Sequence, residues 1–187
     1  MRRLSFVAAL LLAPAAAAAQ DMYGTGMTSS TPKRTSFQIT GGMMIPAFGY
    51  YRNYVDDIGW NAGAAFILTP RRGTHVRLEG EYNSIGSEIG STTASVYGGG
   101  IGGGRAITSG GSTTEGYFVA GLYNAEVCLQ NLTGGCDISS ELQFGTKIGF
   151  GAVVGRGKVR PVFSMYWLYT WSSPYVSIIP ITVGLRF

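Results

Sequence analysis

The sequence predicts an all-β chain: a closed antiparallel transmembrane β-barrel of about eight up-and-down strands. Three observations predict it. Apolar residues recur at every second position over most of the chain, and the connections between these stretches alternate between tight glycine-bearing turns and longer loops. The last ten residues, "IIPITVGLRF", carry the same alternation to an aromatic end. There Ile179, Ile181, Val183, Leu185 and Phe187 share one face, and Pro180, Thr182, Gly184 and Arg186 share the other. Soluble domains usually finish in a frayed polar tail, so this segment is expected to be built into a sheet.

The N-terminus reads as a targeting segment. Arg2 and Arg3 precede "LSFVAALLLAPAAAAA", a short apolar stretch ending in small residues. That is the pattern of a secretory signal peptide covering residues 1–19, with cleavage near Ala19 or Gln20. The apolar core is too short for a spanning helix and lacks a stop-transfer flank. No Cys at the cleavage region offers a site for a lipid anchor. Residues 20–35 are polar, small and turn-prone, a flexible leader, and residues 36–187 form the barrel domain.

Each strand can then be justified in turn. "SFQITGGMMI" places Phe37, Ile39, Met43 and Ile45 on one face. "IGWNAGAAFIL" does the same with Ile58, Trp60, Ala62, Ala64, Phe66 and Leu68. In "HVRLEGEYN", Val76, Leu78 and Tyr82 alternate with Arg77, Glu79, Glu81 and Asn83. "ELQFGTKIGFGA" sets Leu142, Phe144, Ile148, Phe150 and Ala152 against Glu141, Gln143, Lys147 and glycines. "RPVFSMYWLY" and "YVSIIPITVGLRF" close the set. "SVYGGGIGGGRAI" and "EGYFVAGLYNAEV" read as strands whose facing stays open, because glycine blurs their parity. Strands of roughly ten residues suit the smallest membrane barrels.

The connections sort into two groups. "TPRRGT", "TSGGST" and "GRGK" carry turn chemistry on one side. "PAFGYYRNYVDD", "SIGSEIGSTT", the loop between Cys128 and Cys136, and "WSSP" fall on the other. The turn group is expected on the periplasmic side and the loop group outside. Tyr50, Tyr51, Tyr54, Trp60, Tyr82, Tyr169, Trp171 and Tyr175 cluster near strand ends, as interfacial girdles do. Cys128 and Cys136, the only cysteines, are expected to pair in an oxidising compartment.

Periodicity alone does not say which face is oily. A soluble sheet would put its charges outward and carry more Lys, Glu and Asp than this chain does. A membrane barrel sends aliphatic and aromatic side chains to lipid and packs the polar set inside. Arg77, Glu79, Glu81, Glu141, Lys147 and Arg186 are then expected to form a lumen charge network, whose mixed signs allow pairing. Lys and Arg number 14 against 10 Asp and Glu, a slight excess that leaves no nucleic-acid footprint. Beyond the signal segment no run of ~18 apolar residues marks a spanning helix.

The ending "IIPITVGLRF", with "FGTKIGFGAVV" and "VRPVFSMYW" before it, resembles the small outer-membrane-protein β-barrel domain of the OmpA/OmpX type. The resemblance runs from about Ser36 to Phe187 and is strongest over the last fifty residues or so. It implies a place in a Gram-negative outer membrane, with outer-membrane lipid and the barrel-assembly machinery as partners. It also implies that Tyr175, Ile181, Val183, Leu185 and Phe187 form the assembly signal. The short loops argue against a large adhesive surface, and any envelope or host surface partner is expected to be met through them.

Chemistry-bearing motifs are sparse. His75, the only histidine, shares its face with Arg77, Glu79 and Glu81, and a His–carboxylate pair could support acid–base work. It directly follows "TPRRGT", which puts it at the rim, and no nucleophile–base arrangement accompanies it. "GGGIGGG" matches a phosphate-cradling pattern formally, but another strand follows where a helix is required, so curvature is the better reading. "GRGK" fails as a P-loop because Ala152 and Val159 stand where that motif needs other residues. "NLT" at Asn131–Thr133 is read as chance, and Asp56 and Asp57 as a solvated turn. Two cysteines and one distant histidine make a poor zinc site. The expectation is a non-enzymatic structural or binding component of the envelope, with no cofactor and no metal. A small porin-like channel is the alternative, followed by a lipid-modifying enzyme or protease.

Overall fold

A computed structural model describes residues 34–47, 58–71, 73–86, 93–109, 111–130, 136–155, 157–172 and 175–187. The eight strands are β1 (Arg34–Pro46), β2 (Gly59–Arg71), β3 (Thr74–Gly86), β4 (Thr93–Ser109), β5 (Ser112–Gln130), β6 (Cys136–Val153), β7 (Arg160–Thr170) and β8 (Ser177–Arg186). Each is antiparallel to its neighbour in sequence, and β8 returns to pair with β1, so the sheet is a closed barrel. Phe187 seals the join: its N–H donates to the Phe37 carbonyl at 2.8 Å, and the Phe37 N–H donates back at 3.2 Å. Every strand is paired with a neighbour on both sides, the closure that hydrocarbon imposes on a sheet, although β6 runs past β7 beyond Gly145 and β4 past β3 beyond Arg105. The barrel forms one compact unit, Lys33–Phe187.

β1 opens at Arg34, two residues ahead of the predicted domain start; the signal segment and the rest of the leader lie outside the described residues. At one end of the barrel the connections are tight. Two residues separate β2 from β3 and β4 from β5, and residues 154–159 join β6 to β7. Gly73, Gly111 and Gly155 hold φ values of 86°, 95° and 93° in these turns, a left-handed conformation that side chains disfavour. The connections 47–58, 87–92, 131–135 and 171–176 lie at the other end.

Strand lengths depart from the roughly ten residues predicted. β4, β5 and β6 run for 17, 19 and 18 residues, whereas the other five have 10 to 13. The β5–β6 hairpin keeps its ladder as far as Gln130↔Cys136, so Leu129 and Gln130 belong to strand rather than to the predicted loop. At the loop end β5 and β6 therefore run past their outer neighbours, β4 stopping at Thr93 opposite Gly86 of β3 and β7 at Thr170 opposite Gly145 of β6, whereas the extra length of β4, Ala106–Ser109, lies at the turn end.

The outward face is oily on every strand. Phe37, Ile39, Trp60, Phe66, Leu78, Ile101, Leu122, Ile148, Phe150, Phe163, Val183 and Leu185 are all exposed, with Leu78 at 57% and Phe150 at 58%. The inward face holds Gln38, Asn61, Arg77, Glu79, Lys147 and Arg186, each nearly inaccessible. Oil outside and charge inside is the arrangement of a barrel whose solvent is lipid.

Register also fixes the facing of the two glycine-blurred strands. In β4, Ala94, Val96, Gly98, Gly100, Gly102 and Gly104 point inward. Four of them stand opposite the polar column of β3: Gly98 faces Glu81, Gly100 faces Glu79, Gly102 faces Arg77 and Gly104 faces His75. A Cβ added at Gly102 would stand 2.6 Å from the Val119 Cα, and one at Gly98 would stand 2.7 Å from the Tyr123 Cα. These obstacles are backbone atoms of β5 and cannot swing aside. "GGGIGGG" is thus a strand stripped of side chains where a narrow barrel bends sharply and its neighbour fills the lumen.

A pair of substitutions separates this reading from general glycine flexibility. Gly102→Val is expected to cost about 3 kcal/mol or more through unrelievable overpacking and to abolish the heat-modifiable folded band on an unheated gel. Gly116→Ala, whose added methyl meets no atom within 4 Å, is expected to fold as the parent does.

Candidate functional site: the ion-paired lumen

β3 delivers Arg77, Glu79 and Glu81 to the interior because residues two apart share a strand face. β5 adds Glu115, β6 adds Lys147 and β8 adds Arg186, all buried. These six make one chain of alternating sign. Arg186 Nη1 donates to Glu115 Oε2 at 2.9 Å, and Arg77 Nη1 donates to Glu115 Oε1 at 3.4 Å. Arg77 Nε pairs with Glu79 Oε2, and Lys147 Nζ pairs with Glu79 Oε1. Lys147 Nζ also reaches Glu81 Oε1 at 3.1 Å. From there the chain turns neutral: Tyr166 Oη donates to Glu81, Asn61 Nδ2 lies 3.0 Å from Tyr166 Oη and 2.7 Å from Asn83 Oδ1, and Asn83 Nδ2 donates to the Val96 carbonyl.

Two features make so much buried charge tolerable. The first is neutrality: among the described residues the buried cations Arg77, Lys147 and Arg186 are matched by the buried anions Glu79, Glu81 and Glu115. Leaving one such charge uncompensated costs several kcal/mol. The second is that cations lie over rings, with the Arg77 guanidinium 4.3 Å from the Tyr117 centroid and Lys147 Nζ 3.8 Å from that of Tyr166. The Arg186 guanidinium is held besides by Gln38 Oε1, 3.1 Å from Nε. Tyr117 can lie flat because Gly149 stands opposite it, where a Cβ would come 2.6 Å from the phenolic oxygen.

Toward the loop end the interior changes character. Met44, Ile85, Val96, Ala125, Leu168 and Ile178 pack with Tyr123 into a dry cluster inside the barrel. The lumen is thus ionic over one stretch and largely apolar over the next, with Asn83, Gln143 and Thr170 buried beside the cluster.

Of the six residues predicted for the charge network, the structure brings together Arg77, Glu79, Glu81, Lys147 and Arg186. Glu141 does not join them. It has inward parity but is exposed, and its hydrogen-bond partner is Gln143. The reason is the unexpected length of β6: six residues before Lys147 the strand has already climbed toward the loop end. Its place is taken by Glu115, which sequence reading missed because Gly116 and Gly121 obscured the parity of β5. The alternation Glu115, Tyr117, Val119 was the signal that could have found it. His75 is buried at the turn end of β3, and neither ring nitrogen has a hydrogen-bond partner among the described residues. The side chains of Cys128 and Cys136 lie outside the described residues, although their backbones face Ile138 and Gln130. Asp56, Asp57 and Asn131–Thr133 also lie outside them. Ile181, Val183, Leu185 and Phe187 point outward from β8, and Tyr175 packs against Tyr169 at 5.7 Å just before that strand.

No protein-family model and no curated protein matches the sequence. Solved structures do match in fold. Neisserial surface protein A superposes with a TM-score of 0.62 at 14% identity, covering 81% of this chain and 95% of that one. A major outer membrane protein of Thermus thermophilus gives 0.56 at 11% identity, covering 83% and 98%. Ail, the attachment invasion locus protein of Yersinia pestis, gives 0.51 at 15% identity, covering 82% and 97%. The fold is that of the small eight-stranded outer-membrane barrels.

The ion chain predicts asymmetric mutational costs. Lys147→Met leaves Glu79 and Glu81 short of a cation and is expected to destabilise the barrel by about 3–5 kcal/mol in urea titrations. Adding Glu81→Gln restores the balance and leaves an intact Arg186–Glu115–Arg77–Glu79 series, so the double variant is expected to be the more stable of the two.

Proposed function

We propose that this chain is an integral outer-membrane β-barrel with a structural or binding, non-enzymatic role in the cell envelope, its lumen plugged by its own side chains. The observation that carries the reading is the inverted polarity: exposed Leu78, Phe150 and Val183 outside, and a neutral ion chain inside. The fold neighbours support the membrane assignment. The signal-like residues 1–19 support export. Plugging is supported by the dry cluster around Leu168 and Ile178, which an ion crossing the lumen would have to enter after leaving the charged stretch. Eight strands enclose an interior just wide enough for side chains.

The role divides along the barrel axis. The outward residues of β8 would serve first as the signal read by the assembly machinery, and afterwards as part of the lipid-facing wall. The loop end, with the protruding β5–β6 hairpin, is the surface offered to an envelope or host partner. The Cys128–Cys136 pair would pin the tip of that hairpin, where the two backbones are diagonal neighbours.

Membrane fractionation with gel mobility tests the architecture. The protein is expected in the outer-membrane fraction, to need detergent for solubility, and to run at different positions with and without heating. Stable monodispersity in plain buffer would defeat the reading. In planar bilayers the folded protein is expected to give no single-channel steps, and regular steps would favour a channel. His75→Ala is expected to leave envelope lipid composition and protein processing unchanged.

A further inference from the structure

We propose that the turn end of the barrel is a collar that binds anionic phospholipid headgroups. The inference rests on the membrane reading above and starts from how the charges divide. The lumen contributes none, its three buried cations and three buried anions cancelling. The remaining charges of the barrel segregate by end. Arg34 opens β1, Arg71 closes β2, Arg105 lies near the foot of β4, and Lys158 and Arg160 bracket the start of β7. The sequence adds Lys33, Arg72 and Arg156 beside them, and no acidic residue falls in these stretches. At the loop end the sign reverses. Glu126, Asp137 and Glu141 stand on the upper parts of β5 and β6, and the sequence places Asp56, Asp57 and Glu88 in the connections with Arg52 as their one cation.

Position selects the occupant. Arg105 is exposed on the outward face of β4, in line with exposed Ile101 and Ile107, and beside the β2–β3 turn through the Ala106–Gly73 hydrogen bond. Lys158 is exposed in the β6–β7 connection. Phe37 and Phe163 are exposed three residues along from Arg34 and Arg160, Phe187 pairs with Phe37, and exposed Ile107, Val154 and Val159 lie among the cations. Side chains at that height meet the headgroup layer of the same leaflet whose acyl chains cover the phenylalanines. A phosphate carrying net negative charge satisfies the collar there, and each nearby Lys or Arg contributes about 1 kcal/mol to such attraction. A soluble acidic macromolecule would need the cations directed along the axis, away from lipid. Arg105 instead points sideways, toward lipid.

The test uses the mature folded barrel in phosphatidylcholine vesicles carrying trace spin-labelled phosphatidylglycerol or spin-labelled phosphatidylcholine. The labelled phosphatidylglycerol is expected to associate several-fold more strongly, with the preference lost in high salt. Arg105→Gln with Lys158→Gln is expected to lower that preference several-fold, to near parity with phosphatidylcholine. Arg52→Gln, which removes a cation from the opposite end, is expected to leave it unchanged. Equal association of both labels would overturn the collar, as would a preference that survives the double variant or falls as far with Arg52→Gln. Binding of polyglutamate in place of labelled phosphatidylglycerol would overturn it in favour of an acidic macromolecule. A barrel that fails to enter neutral vesicles at all defeats the membrane reading instead, so the two failures are distinguishable.

Discussion

Closure of the backbone ladder is the constraint on which the rest depends. A sheet in hydrocarbon has no water to satisfy an open edge, so β8 must return to β1, and the reciprocal Phe37–Phe187 hydrogen bonds mark where it does. Closing with eight strands fixes a small radius. A small radius crowds the inward positions, and β4 answers with glycine at four successive inward sites where any Cβ would strike β5. Space gained on β4 is occupied from β3, by the long side chains of Arg77, Glu79 and Glu81. Because those groups are charged and buried, their signs must alternate and cancel. Geometry thus leads, step by step, to electrostatics.

Most of the fold could be read from the sequence because period-two alternation is a direct image of strand geometry. Leu78 and Tyr82 against Arg77, Glu79 and Glu81 leave little freedom, and the glycines of "RRGT" and "SGGS" mark two of the turns. What stayed hidden had physical reasons. Glycine has no side chain to declare a face, so the orientation of β4 and β5 is fixed only by their partners in the ladder. Glu115 is concealed for that reason, while Glu141, on the clearer parity of β6, stands out in its stead. Alternation also says nothing about where lipid stops, which is why β4–β6 run longer than their sequence suggests. The ordering of the ion chain, with Lys147 reaching both Glu79 and Glu81, lies in three dimensions and has no linear trace.

The lumen has two regimes, and they stabilise the barrel differently. Around Leu168 and Ile178 the interior is an ordinary dry core, sustained by close packing. Around Arg77 and Glu115 it is held by directional, charge-assisted contacts that specify which strand sits beside which. Arg186 on β8 grips Gln38 on β1 and Glu115 on β5, joining residues separated by 148 and 71 positions in sequence. Every other ladder links sequence neighbours, so β1–β8 closure carries the largest loop-entropy cost. The guanidinium of Arg186 places its contacts where that cost falls.

The unequal strand heights give the molecule a front and a back. A cylinder of uniform rim looks the same from every azimuth, so a visitor gliding in the plane of the leaflet has no preferred approach. Here β5 and β6 rise past β4 on one side and past β7 on the other. Under the proposed binding role, a partner at the loop end would meet β5 and β6 on one side of the axis only. Rotation about the barrel axis, invisible in an idealised drawing of the fold, would then matter to how such a partner is met.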